Sequence, residues 1–410
     1  MRYGLDFGTS NSSMSFNDGE EVVMIPLESS GERLTLPSAW FFDDEQKICH
    51  IGRSAIRKLG SGTRGRYMQS IKRFIGDKSI EGTNVNGKFM TFKDIIGALI
   101  SDVKHTADQF VGQDVRSVRI GMPFKFSSSG SNELALERIA GAAHDAGFEE
   151  VDFMLEPLAA TYALKSSVTS RSKVLTLDIG GGTTDLSVVE LYPEGQNEDR
   201  VLYSSGVVVG GDDFTSEIMR NKLLHYFGYG SMIKTGPETL IPFPSNLITG
   251  ITHWYSALRL ARDKTFRNSL SSVKHMAVDK EKIEALEAII YGKQGVKLFE
   301  AVEIAKKELS DDPDTAILFS FEQVDIYEIL RRTEFEQFIS PHVDKINDAI
   351  LDVKRQTGID DVDYVMLVGG SSQIPLFRRV LNSHFSSAEL VENNQVTSVA
   401  YGLSHAEYQV

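Results

Sequence analysis

Apolar and polar positions along the chain alternate with two periods, and two segments repeat one plan. Arg2–Phe16 reads as a strand, an interruption Asp6-Phe7-Gly8-Thr9-Ser10-Asn11, and an alternating strand Ser12–Phe16. In Val174–Ser187 the apolar run Val174-Leu175-Thr176-Leu177 suits a buried strand; Asp178 and Gly180-Gly181-Gly182 follow, and Leu186–Val189 returns as a second strand. Further strands are expected at Leu36–Phe42, Val115–Met122, Val151–Leu155, Leu202–Val209 and Tyr364–Val368. Helical spacing appears at Arg53–Leu59, Phe92–Phe110, Thr252–Asn268, Glu303–Ser310, after Ser371, and at Thr397–Gln409. Another helix is capped by Ser131 or Asn132, carries Leu136, Ile139, Ala140 and Ala143 on one face, and stops at Gly147. Glu156-Pro157 opens one more, with proline at the first helical position. Ser61–Arg66, glycine-rich and basic, is expected to be a mobile loop. In Thr252–Asn268 the stripe Trp254, Leu258, Ala261 and Thr265 leaves Arg259, Arg262 and Arg267 elsewhere, which reads as an amphipathic helix covering its own lobe rather than a membrane or partner face.

The two repeated units carry chemistry. A glycine run after a strand lets the backbone approach a ligand and present N–H groups to an anion. Thr183 and Thr184 add hydroxyls, and Asp185 closes the loop. A plain glycine hairpin makes no demand for an aspartate on each side. A carboxylate beside a phosphate is repulsive unless a cation lies between them, so Asp178 and its counterpart Asp6 imply Mg²⁺, held through water. Two copies of a strand–Asp–Gly-Thr–strand unit suggest duplicated halves that clamp a phosphate from both sides.

Composition narrows the field. The 410 residues suffice for two domains with full cores, and 41% hydrophobic with 24% charged residues describes an ordinary globular protein. A formal net charge of −14 disfavours nonspecific binding to nucleic acid or an anionic membrane. Cys49 is the single cysteine, which excludes an internal disulfide and fits a reducing cytoplasm. There is no signal-peptide core and no apolar run long enough to span a bilayer, so neither membrane nor nucleic acid is expected as a partner.

At this point the sequence resembles the actin-like ATPases, and among them the nucleotide-binding domain of the 70-kDa heat-shock (DnaK-type) chaperones. GLDFGTSNSS at Gly4–Ser13 is similar to that family's first phosphate loop and LDIGGGTTDLS at Leu177–Ser187 to its second. EPLAATYA at Glu156–Ala163 resembles its connecting helix, and VGGSSQIP at Val368–Pro375 its adenosine motif. SIKRFIG at Ser70–Gly76 and VGGDDF at Val209–Phe214 also fit, in family order, with a short YegD-like branch the nearest analogue.

The resemblance implies an α/β fold of duplicated actin-like (ribonuclease H-like) domains forming two lobes around a nucleotide cleft. Residues 1–167 would form the first lobe, with 37–101 its smaller outer subdomain and helix 391–410 completing it. Residues 168–390 would form the second, with 223–330 its enlarged outer subdomain and no peptide-binding domain after it. It implies ATP or ADP with Mg²⁺ as cofactors: Asp6 and Asp178 on the hydrated metal; Lys72, Glu156, Asp178 and Thr183 at the hydrolytic step; Gly8, Thr9, Ser10, Asn11, Gly180, Gly181, Gly182, Gly210, Gly211 and Asp212 around phosphate. Glu156 could equally serve only to favour its helix N-terminus. Glu303, Lys306, Lys307, Ser310, Gly369, Gly370, Ser371 and Gln373 would hold the adenosine. Lys307 and Gln373 stand where the family usually has arginines, and Val396 where it has an acid, which weakens base stacking. The expected function is ATP binding with slow hydrolysis and nucleotide-driven lobe closure in a chaperone-like protein. Alternatives are a nucleotide-dependent interaction module with negligible turnover, an actin-like filament protein and a small-molecule kinase, for which Asp185 would be the base. The enlarged segment 226–298 is where a protein partner would read the nucleotide state.

Overall fold

The computed structural model describes residues 1–28, 33–61, 63–85, 87–126, 130–193, 199–392 and 397–405. Val396 and the end of the closing helix lie outside the described residues, as do the side chains of Trp254 and Leu258. The chain divides into two compact units, residues 1–211 with 344–410, and 212–343.

The first unit holds a six-stranded and a five-stranded sheet that share a five-strand plan. In the first, the order is Val22–Ile25, Asn11–Asn17, Arg2–Phe7, Ser117–Met122, Glu150–Leu155, with Thr35–Pro37 added beside Asn11–Asn17. In the second it is Arg200–Val207, Thr184–Leu191, Ser172–Ile179, Tyr364–Val368, Glu389–Glu392. Each sheet thus runs third, second, first, fourth, fifth in chain order, antiparallel in its first three strands and parallel from there on. The fold is α/β and duplicated. The repeated hairpins are the two antiparallel starts, Arg2–Asn17 and Ser172–Leu191.

Helices pack where the sequence supplies caps and an apolar face. Phe92–Val111 starts with a capping box between Thr91 and Asp94, buries Ile95, Ile96, Leu99, Ile100, Val103 and Ala107, and ends at Gly112 with φ 80°. Asn132–Asp145 is capped by the Ser131 hydroxyl, which accepts from Leu134 N–H at 3.2 Å. Its buried face is centred on Ala135, Ile139, Ala142 and Ala143, one position away from the stripe expected at Leu136 and Ala140. The helix packs against Phe92–Val111 and strand Glu150–Leu155, and its small side chains allow a close approach, with Ala142 Cβ 3.9 Å from where a Cβ on Gly97 would lie. The closing helix Ser398–His405 is pinned to the first hairpin: Ser15 Oγ donates to the Ala400 carbonyl at 2.5 Å, and Asn17 Nδ2 to the Ser404 carbonyl at 2.7 Å.

Three expectations change. Leu36–Phe42 is two short strands, Thr35–Pro37 and Ala39–Asp43, because Ser38 turns aside to donate to the Gly8 carbonyl at 2.7 Å. The supposed loop Ser61–Arg66 gives its last two residues to strand Gly65–Gln69, paired to Ala39–Asp43. In the second unit, Thr252–Asn268 breaks into Trp254–Leu260 and Lys264–Lys274, since Asp263 Oδ1 accepts from Thr265 and Phe266 N–H and caps a new helix. Thr265 is exposed, and among the described side chains of these two helices Ala257, Leu260, Phe266 and Leu270 are buried. The second unit also contains helices Lys280–Tyr291 and Gly295–Glu308 and the hairpin Asp314–Phe321/Val324–Arg331. No helix among the described residues is long and apolar enough to cross a membrane.

Candidate functional site

Lys72 sits in a single 3-10 turn, Ile71–Arg73, entered through Ser70, whose left-handed backbone (φ 51°) reverses the chain after strand Gly65–Gln69. Its side chain is buried and its Nζ donates to Glu156, 84 residues away. Glu156 opens helix Glu156–Thr161, immediately after a parallel strand of the first sheet, with Pro157 in the first turn. Pairing registers place Asp6 opposite Ser13 in the first hairpin and Asp178 opposite Asp185 in the second. Asp178 and Asp185 are buried and Asp6 is half-buried. Asp185 Oδ1 accepts from Phe124 N–H at 2.7 Å.

These groups act on one another. Burial, with Glu156 and then Asp178 nearby, raises Asp6 well above the usual carboxylate range, and Lys72 only partly offsets it. Burial, Glu156 and Asp185 do the same to Asp178. Asp185 is pushed up to about 7 by burial and Glu156, against the pull of Phe124 N–H and the Thr183 hydroxyl. For Lys72 burial opposes the charge, but Glu156 and Asp6 outweigh it and its pKa rises. Asp6, Glu156, Asp178 and Asp185 therefore crowd more carboxyls around Lys72 than one lysine can balance once they ionise, an arrangement completed by an added cation.

The glycine turns are next to this cluster. Gly180 N–H donates to the Thr183 carbonyl at 2.9 Å to close the second turn, and Gly211 N–H donates to the Gly180 carbonyl at 2.9 Å. A Cβ on Gly210 would lie 2.6 Å from the Gly181–Gly182 backbone, so only glycine permits that approach. Gly369, at φ 83°, comes as close to Asp178: a Cβ there would lie 2.5 Å from Oδ1. Ser371 Oγ reaches the Gly180 carbonyl at 3.5 Å. The first turn is tighter, since a Cβ on Gly8 would overlap the Asn11 carbonyl. Thr9 is buried, Ser10 half-buried, and Asn11, Gly370 and Gln373 are exposed. The first unit thus brings together Asp6, Lys72, Glu156, Asp178 and Thr183 with Gly180–Gly182, Gly210, Gly211, Gly369 and Ser371.

The second unit builds a separate constellation on helix Gly295–Glu308. Thr215 Oγ1 donates to Glu303 Oε2 at 2.6 Å, and Lys306 Nζ donates to the same oxygen at 2.7 Å and to Thr215 Oγ1 at 3.0 Å. Burial raises Glu303, but Lys306, Lys307 and Thr215 together outweigh it and hold the carboxyl below its ordinary value. Lys307 is exposed, 3.7 Å from Glu303 Oε1; Ser310 follows the helix end and Asp212 is half-buried. Sequence reasoning missed Thr215, Phe124 and Arg73, whose side chain lies against Gly182. Arg73 had a usable signal, its place beside Lys72; a threonine and a backbone amide had none.

The residues fit a hydrated divalent cation. Among the described residues no group of three acids, histidines or cysteines converges closely enough to ligate a metal directly. A cation balancing these carboxylates would be held through its water shell, which Mg²⁺ gives up reluctantly.

The model of the family described as Hsp70 protein matches residues 77–234 and 271–406, most of the chain. This chain belongs to the Hsp70 family. The chaperone protein DnaK of Mycoplasmopsis agalactiae (strain NCTC 10123 / CIP 59.7 / PG2) is 28% identical over 393 residues, 93% of this chain and 54% of that relative. The chain spans about half the length of the curated relative it matches. Hsp70 proteins are an ATP-binding, chaperone-like family, and the duplicated sheets are those of its actin-like ATPase fold. The unmatched stretch 235–270 falls inside the segment 226–298 singled out in the sequence.

Proposed function

We propose that this Hsp70-family chain binds Mg²⁺-ATP and slowly hydrolyses it to ADP and phosphate. The observation that carries the reading is the buried Lys72–Glu156 pair, ringed by Asp6, Asp178 and Asp185 beside two glycine turns. In it the N–H groups of Gly8–Asn11 and Gly180–Thr183, with Gly210 and Gly211, cradle phosphate oxygens. Asp6 and Asp178 would hold a hydrated Mg²⁺, which when bound would neutralise phosphate charge. Lys72 stays protonated and supplies a point charge where the transferring phosphoryl becomes more negative. Glu156 keeps that charge aimed, while Asp178 and the Thr183 hydroxyl orient the attacking water. For the nucleoside, Glu303 and Lys306 form an acceptor–donor pair suited to ribose hydroxyls. Lys307 and Ser310 in the second unit, and separately Gln373 with the Gly369–Ser371 backbone in the first, are the candidates for base contacts.

Calorimetric titration with ATP and ADP, followed by a phosphate-release assay, tests the reading. Excess chelator should lower ATP affinity at least about tenfold, since the paired acids repel uncompensated phosphate. Equal affinity with and without Mg²⁺ would overturn it. A second reading, a nucleotide-dependent module with negligible turnover, is favoured by the Lys307 side chain, 71% exposed where a stacking group is expected. A protein partner would then read the nucleotide state through 226–298.

A further inference from the structure

Glu156 is seated by residues from a part of the chain nearly 250 positions away. Its aliphatic stem passes over Gly121 of strand Ser117–Met122: a Cβ on Gly121 would lie 3.1 Å from Glu156 Cγ, 3.3 Å from Leu403 Cδ1 and 3.5 Å from Val399 Cγ1. Val399 and Leu403 belong to the closing helix Ser398–His405, and both are buried in one cluster with Leu158 and Ala159 of the helix that Glu156 opens. At Gly402 the two helices touch backbone to backbone, so that a Cβ would overlap the Ala159 carbonyl oxygen. The far side of the closing helix is held to the first hairpin through Ser15 and Asn17. The Glu156 stem, Leu403 and Val399 thus converge on the space that Gly121 leaves without a side chain, and the backbone contact at Gly402 fixes the closing helix there. A long carboxylate side chain has several rotamers of similar energy, and this seat selects one of them.

We propose that the closing helix positions Glu156, and through it Lys72, with Gly121, Gly402 and Leu403 as positioning residues. The inference rests on reading the Lys72–Glu156 cluster as a phosphoryl-transfer site. Displacing the Glu156 stem by a few tenths of an ångström moves the carboxylate that holds Lys72 and leaves the phosphate-binding turns in place. The effect should fall on turnover and spare binding.

The test uses the full chain with Gly121→Ala and Leu403→Ala, measured beside Glu156→Gln and a core control, Ile139→Val. Ile139 is fully buried in a different cluster and reports loss of stability alone. Gly121→Ala should lower kcat about tenfold, since misplacement by up to an ångström can cost about a hundredfold. The Kd for Mg²⁺-ATP should stay within about twofold, and Leu403→Ala should show the same split by loosening the seat. In the Glu156→Gln background, Gly121→Ala should add no further loss, because the carboxylate it positions is gone. Ile139→Val should keep wild-type kcat. If Gly121→Ala and Leu403→Ala turn over like wild type while Glu156→Gln is impaired, the positioning role is wrong and the phosphoryl-transfer reading stands. An undiminished loss from Gly121→Ala in the Glu156→Gln background would also overturn it. If Glu156→Gln and wild type are indistinguishable, the reading itself fails and takes the inference with it.

Discussion

The two hairpins share register and turn position, yet they are loaded differently. In Arg2–Asn17 the aspartate faces Ser13, whose buried hydroxyl has no hydrogen-bond partner among the described residues, and the returning strand uses Ser12 and Ser15 for structure. Ser12 pairs with Ser38 at 2.9 Å and Ser15 ties down the closing helix. In Ser172–Leu191 the aspartate faces a second aspartate, every residue of the returning strand is buried, and three glycines open the turn to the Gly210 and Gly369 loops. The same scaffold thus serves anchorage in one copy and concentrated charge in the other. Backbone pairing conserves the geometry of a duplicated unit, while side chains at its equivalent positions are free to diverge, since register depends on burial pattern rather than on charge.

The sharpest way to break this comparison is at Lys72, which feels acids from both hairpins, Asp6 and Asp185. Lys72→Ala should lower phosphate release in single turnover by about 10²–10³-fold, roughly 3–4 kcal/mol of barrier, with a much smaller change in ATP affinity. An active Lys72→Ala variant would mean that neither hairpin works through this lysine.

A smaller effect separates the copies directly. Asp185 has a folded pKa of about 7 against an ordinary value of 3.8, so the folded chain binds a proton that the unfolded chain releases between those values. Stability from this group is present at low pH and lost as pH rises from about 4 through about 7. Three units set a ceiling of about 4 kcal/mol, and relaxation around the charged form should leave about half of it. Asp185→Asn should therefore be more stable than wild type by about 2 kcal/mol at pH 8 and nearly equal to it at pH 5, by denaturant unfolding without nucleotide. Ser13→Ala, at the equivalent position, should be nearly neutral at both pH values, because it removes a buried hydroxyl with no hydrogen-bond partner among the described residues. Identical pH profiles for Asp185→Asn and wild type would remove the electrostatic distinction between the hairpins.

The smallest effect lies outside both copies and serves as their baseline. Lys307→Arg should tighten adenine nucleotides by about 0.5–1 kcal/mol through a planar, stacking cation, measured by calorimetry. It should leave phosphate release from bound ATP unchanged; a change there would mean that the nucleoside end is not independent of the hairpins.

Much of this was legible in the chain itself. Strand–Asp–glycine–strand units, a proline after Glu156 and Ser131 before an apolar face are local codes: they act through neighbouring backbone, so their meaning survives without the rest of the molecule. Asp263 was equally local and was passed over, because the apolar stripe running through it suggested one helix where its side chain starts a second. The candidate site is another matter. That Lys72 finds Glu156, that Asp185 is held by the Phe124 amide, that Thr215 joins Glu303 to Lys306, and that Gly121 makes room for a glutamate stem are facts about pairs 61 to 91 residues apart, or about a glycine whose neighbour comes from the closing helix. No spacing rule encodes them. The sequence determined which residues could carry charge and which turns could bare their amides. The tertiary structure decided which charges share a buried volume, because only sheet register and helix packing bring distant side chains within the few ångströms over which burial and Coulomb forces set a proton's affinity.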